Sequence, residues 1–157
     1  MLSTPHLLSG AAVGAVGAPF GLPAVFALAF ISHIVLDMVP HSDVNLLEGG
    51  ENDKYTRGDF YAVALEIVIA IVLVIYFAFR TNVPQPILIG AVGGFAIDVI
   101  DNMPYWQQTV RKWPFFKQLH QLHDTLHTSL KERGRILGVV TQFIVIIISV
   151  IILMQKK

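Results

Sequence analysis

The chain contains no cysteine. Disulfide frameworks and thiolate-bound metal are both excluded, so any metal must be held by histidine, aspartate and glutamate. Charge is scarce as well. Only 14% of residues are charged, and 11 lysines and arginines balance 11 aspartates and glutamates, for a formal net charge of zero. Water-soluble domains carry about 25% charged residues, so a single integral membrane domain over residues 1–157 is the better expectation. Without a positive excess, nucleic acid is not an expected partner. The first apolar run also lacks a preceding positive segment, with Pro5 and His6 standing there instead, so no cleavable signal peptide is expected.

What the chain has in abundance is hydrocarbon: 54% apolar residues and a mean hydropathy of +0.63. Residues 136–154 form a run of 19 interrupted only by Thr141, Gln142 and Ser149, close to the roughly 20 residues a spanning helix needs. Residues 60–79 form a second run broken once by Glu66, with Asp59 as a candidate N-cap and Arg80 at the far end. The first 40 residues are too long for one helix and carry Pro19 and Pro23 near their middle. They read better as a short hairpin, residues 5–16 and 23–38, with Thr4 as N-cap, Pro5 in the first turn and a stop before Pro40. A further short helix is expected over residues 86–101, ended by Asn102-Met103-Pro104. The expected fold is therefore all-α: a polytopic bundle of about five membrane helices, plus one amphipathic surface helix over residues 112–130.

Candidate ligands stand where these runs end. His6 starts the first helix, His33 and Asp37 end the second, Glu66 lies near the start of the third, and Asp98 and Asp101 end the fourth. His41 follows in the loop, and His120, His123 and His127 lie on the amphipathic segment. With the hairpin, all of them share one side of the bilayer. That side carries Lys54, Arg57, Arg111, Lys112, Lys117, Lys131, Arg133 and Arg135, against Arg80, Lys156 and Lys157 on the other. The positive-inside rule then predicts a cytoplasmic ligand side in a prokaryotic inner membrane. Helices of 13–16 residues reach only about 20–24 Å at 1.5 Å per residue, short of a hydrocarbon core near 30 Å, which predicts a sunken, lipid-flanked site.

Each group has its own chemistry. His33 and Asp37, one helical turn apart, can reach a single ion. Asp98 and Asp101 set two anions at a helix C-terminus, where the dipole is unfavourable and a cation is wanted. Glu66 in an apolar run is expected to face the protein interior, as a ligand or general base. His120, His123 and His127, at i, i+3 and i+7, make a metal-compatible edge, with Asp124 placed to orient one of them and one imidazole, His120, free for acid–base work. His6, Gly10, Gly14 and Gly17 share one helix face, a small-residue stripe suited to close packing.

Ser3-Thr4-Pro5-His6-Leu7-Leu8, the stretch from Ser32-His33 through Asp37 to Pro40-His41, and His123-x3-His127 together resemble the small bacterial and archaeal membrane-bound metal-dependent hydrolases, a family distantly similar to zinc-dependent phospholipase C. The resemblance spans most of the chain and implies His6, His33, Asp37, Asp98 or Asp101, and His123 or His127 as ligands. The phospholipases carry a longer soluble helical domain that has no counterpart in this sequence. The expected function is a membrane-bound hydrolase using a divalent metal, with zinc the expected ion, on a phosphoester or lipid-like substrate, with membrane lipid as its surroundings. The ligand candidates are His6, His33, Asp37, His41, Asp98, Asp101, His123 and His127, and the catalytic candidates Glu66 and His120. A metal transporter or sensor is the alternative, for which the last helix offers a thin polar path. A haem carrier would need histidines facing each other within spans rather than at helix ends.

Overall fold

A computed structural model describes residues 1–42, 57–102, 106–130 and 134–156, apart from the Asp59 side chain. Lys54, Lys131, Arg133 and Lys157 of the charge count and the Met103-Pro104 stop lie outside the described residues, whereas Asp59 has helical backbone within Arg57–Arg80 and is not the N-cap expected of it.

The described chain is all-helical: α1 Ser3–Gly17, α2 Leu22–Asp37, α3 Arg57–Arg80, α4 Pro84–Ile97, α5 Gln107–Val110, α6 Pro114–Leu126 and α7 Arg135–Gln155. A 3₁₀ turn, Ala18–Phe20, joins the first two, and Gly21, with φ 84°, makes the reversal into Pro23 that side-chain-bearing residues resist. Among the described residues, three helical stretches are long and apolar enough to cross a membrane: Phe60–Arg80, Pro84–Asn102 and Arg135–Gln155. Leu22–Asp37 is a shorter apolar helix.

The short apolar helix α1 is the centre of the bundle. Its sequence is apolar all round, which suits a helix enclosed on every side, and ten of its residues are buried, from Pro5 to Gly17. The core joins Leu7, Leu8, Ala11 and Ala15 of α1 to Ala70, Val74 and Phe77 of α3, Ile87 and Ala91 of α4, and Leu153 of α7. On the outside, α3 and α7 present Leu65, Val72, Phe79, Phe143, Ile147 and Ile151 unburied. Apolar outer faces of this extent suit hydrocarbon surroundings.

The glycine stripe meets a second one. Gly10 and Gly14 on α1 lie against Gly90 and Gly94 on α4, so each helix contributes a Gly-x3-Gly pair. A Cβ added at Gly10 would overlap the Gly90 carbonyl oxygen, and one at Gly94 would overlap that of His6. The two backbones therefore touch. Gly17, the last of the stripe, faces Val25 of α2 at ordinary packing distance instead.

Three local expectations change. Thr4 is not the cap of α1: the helix starts at Ser3 behind an extended Leu2, with no local side-chain cap. Its free N–H groups are served by other helices, Leu2 donating to Gln142 Oε1 at 2.9 Å and Thr4 to Glu66 Oε1. The fourth helix starts at Pro84 rather than at 86, and it widens into a π-turn over Asp98–Asn102. Such turns are frequent at functional sites; this one carries both acids. Finally, α6 ends at Leu126, and His127 has extended backbone, φ −70° and ψ 121°. It is not the third member of a helical histidine face.

Candidate metal centre

Asp37, the last residue of α2, is the hub. Only 1% of its side chain is exposed, and both oxygens are surrounded. Oδ1 lies 2.8 Å from the Met1 α-amine, 3.1 Å from His6 Nε2 and 3.8 Å from His41 Nε2. Oδ2 lies 3.2 Å from His33 Nε2 and 2.8 Å from His123 Nε2. The His6 and His33 rings stack with centroids 3.8 Å apart.

The backbone sets this convergence. Thr128 N–H donates to the Asp37 carbonyl, and His41 and Ser129 form a parallel bridge, with His41 N–H on Thr128 O and Leu130 N–H on His41 O. The extended residues after α6 are thereby clasped to the loop after α2. His127 Nε2 then meets His41 Nε2 at 3.1 Å. The loop is fixed in turn to α7, where Thr141 Oγ1 donates to Pro40 O and Gln142 Nε2 to Ser42 O.

Backbone carbonyls choose the tautomers. His33 Nδ1 donates to Gly94 O at 2.7 Å, and His41 Nδ1 to Val39 O at 2.8 Å. In the neutral ring the proton is thus placed on Nδ1, and Nε2 turns a lone pair inward. For His33 that lone pair faces Asp37 Oδ2 at 3.2 Å and Asp98 Oδ1 at 3.8 Å. Nε2 has no hydrogen-bond partner among the described residues, and the same holds for His6 Nδ1 and Asp98 Oδ2, all buried atoms. A lone pair opposed to two carboxylates in a water-poor interior is unfavourable until a cation joins them.

Carboxylates support the outer imidazoles. Asp101 Oδ2 accepts from His120 Nδ1 at 2.8 Å and lies 3.4 Å from His123 Nδ1, while Arg111 donates to its Oδ1 and carbonyl at 2.8 and 2.7 Å. A carboxylate behind an imidazole whose other nitrogen faces the centre is the usual support of a metal-binding histidine. Asp101 plays this part, where the sequence suggested Asp124; Asp124 is exposed. Burial pulls the His123 pKa down, but the hydrogen bond and charge of Asp37, with Asp101 and Asp98 behind, outweigh it and raise the pKa above 6.5.

Among the described residues, three groups have the spacing to hold an ion: His6, His33 and Asp98; His33, Asp37 and His123; and Asp37, His41 and His127. Within each, the ligand atoms lie within 4.8 Å of one another. The groups overlap. The one inward nitrogen of His33 cannot serve two ions at once, so the first two compete, whereas the two oxygens of Asp37 can join the second to the third. The donor set is nitrogen and oxygen throughout, which suits zinc and similar divalent ions.

Of the ligand candidates, the structure brings His6, His33, Asp37, His41, Asp98, His123 and His127 into these groups, with Asp101 one bond behind. His120 stands at the rim, with 31% of its side chain exposed. Glu66 stands apart: it caps α1 and lines a cavity of about 290 Å³ between α1, α3 and α7 with Leu2, Pro5 and Phe143. Sequence reasoning missed the Gly94 carbonyl, Arg111, Gln142 and the Met1 amine. Only the Gly90-x3-Gly94 pair left a signal that could have pointed to the first. No family model, curated protein or solved structure matches this chain.

Proposed function

We propose that this chain is an integral membrane, metal-dependent hydrolase acting on a phosphoester or lipid-like substrate at the membrane interface, with zinc as the expected ion. One observation carries the reading: among the described residues, His33 Nε2 is buried without a hydrogen-bond partner facing Asp37 and Asp98, while its Nδ1 donates to the Gly94 carbonyl. The resemblance to small membrane-bound hydrolases, noted from the His6, His33–Asp37–His41 and His123-x3-His127 motifs, supports it independently.

His33, Asp37 and His123, with His41 and His127 or with His6 and Asp98, would hold the metal. A bound divalent ion supplies Lewis acidity for polarising a phosphoester oxygen and acidifying water. The chain's own residues supply the rest. Asp101 orients His123 toward Asp37 and holds His120 at the rim, where an imidazole can pass a proton to or from a substrate. Asp98, partly exposed, stands on the same open edge. The sealed inner residues keep bulk water from competing.

In the same reading α1 and α2 are membrane-embedded with the three long helices, giving five, and the metal side is cytoplasmic in a prokaryotic inner membrane. The three long apolar helices and the gathering of His6 with the later ligands support that topology.

The test is metal analysis of purified wild type against His33→Ala, paired with phosphodiester hydrolysis before and after chelation. Wild type should bring a divalent ion and lose hydrolysis on chelation, and His33→Ala should lack both. Hydrolysis that survives thorough chelation overturns the reading. Stoichiometric metal without hydrolysis would instead favour a transporter or sensor.

A further inference from the structure

The amphipathic helix α6 is turned the opposite way from a helix covering a soluble core. Its histidine edge faces inward, with His123 buried against Asp37. Its apolar edge faces out: Phe115 is 69% and Leu122 49% exposed, and Trp113, just ahead of the helix, is 65% exposed. Lys117, Gln121 and Asp124 form a third, exposed polar edge. At 100° per residue the histidine edge lies between the other two, so the apolar and polar edges point nearly opposite ways.

Its level in the bundle is fixed by its neighbours. The span Pro84–Asn102 ends shortly before α6 and Arg135–Gln155 begins shortly after. At that same end, Asp101 binds His120 and the residues after α6 clasp the loop of α2. The helix therefore lies where the long apolar helices stop. Tryptophan favours that level, and Lys112 and Lys117 beside it suit anionic headgroups.

We infer that α6 is an interfacial helix: its Phe115–Leu122 edge sits in the headgroup–acyl boundary of an anionic leaflet, and the rim at His120 and Arg111 opens toward phospholipid headgroups from that leaflet. The rim residues are each 31% exposed, whereas His33 is fully buried and Asp37 nearly so, so the approach to the centre is from this side. The lipid placement stands by itself. The further step, that the substrate is a phospholipid-like amphiphile entering sideways, rests on the hydrolase reading.

Because the chain has no cysteine, single spin labels report cleanly. Leu122→Cys and Gln121→Cys, one residue apart, are labelled and reconstituted in phosphatidylcholine–phosphatidylglycerol vesicles. Collision with oxygen and with a water-soluble nickel chelate is then measured. Leu122→Cys should favour oxygen and Gln121→Cys the chelate, with metal content equal to wild type. A label at Leu122 that favours the chelate overturns the proposal, and so does one shielded from both probes, which would mean a protein surface covers it. For the substrate, Phe115→Gln with Leu122→Gln should lower turnover of a bilayer-borne phosphodiester about tenfold relative to a water-soluble one. An unchanged ratio overturns sideways entry, and absence of any turnover in wild type overturns the hydrolase reading while the label result still decides the placement.

Discussion

Asp37 has two oxygens and a full ring of neighbours, so its loss should be felt more widely than that of any one histidine. Asp37→Asn keeps the shape but removes the charge that both Asp37-containing ligand groups share; metal content should fall to background by elemental analysis while the protein still inserts, because the apolar spans are untouched. Asp101→Asn tests orientation rather than ligation. It weakens the support behind His123 and His120 and should lower metal affinity by about 10–100-fold in a competition titration. His123 gives the acidity test. Its raised pKa means that, in metal-free protein, the stabilising imidazolium–Asp37 pair is complete below about pH 6.5, the ordinary histidine value, and is lost as pH rises through the higher folded value. A bound metal needs the neutral ring, so the loaded protein should behave oppositely and weaken as pH falls. Thermal midpoints of chelated and zinc-loaded protein, followed across neutral pH, should diverge; parallel curves would remove His123 from the ligand set.

The helices themselves were largely legible, because long apolar runs and proline punctuation are local signals. Pro19 and Pro23 marked the α1–α2 turn, and the bounds of α2, α3 and α7 fall within a few residues of expectation. Legibility failed where the partner is backbone or distant. Glu66 was conspicuous as an acid among apolar residues, but nothing local reveals that the Thr4 amide is what it serves. Asp124 was favoured behind the histidines because it shares their helix, while Asp101 reaches them through a π-turn that no spacing rule announces. The facing Gly-x3-Gly pairs are an element-scale device with a site-scale effect, since the helices they press together carry His6 and the carbonyl that fixes His33. Gly90→Ala inserts a methyl against Gly14 and the Gly10 carbonyl; it should cost about 1–3 kcal/mol, as overpacking does, seen as a lower thermal midpoint in detergent, with metal content falling alongside.

At the scale of the whole molecule, two short helices and three long apolar stretches make a bundle that gathers its ligand groups at one end. If α1 and α2 are embedded as proposed, Phe20→Cys and Lys156→Cys should react with an impermeant thiol reagent from the outer face of intact cells. Gln121→Cys should react only after permeabilisation. Labelling of Phe20→Cys and Gln121→Cys from the same face would reduce the number of spans. The clasp between His41 and Ser129 has a consequence in time. Asp37 and His123 are separated by 86 residues, so a ribosome has delivered α1 to α4 before the second half of the ligand set exists. Until then Asp37 lacks His123 and His127, although His6, His33 and Asp98 have all been made. The two groups that contain His123 or His127 thus cannot close before α6 has been made. A chain truncated before α6 should be recognised as unfinished and degraded, however well its apolar segments have entered the bilayer.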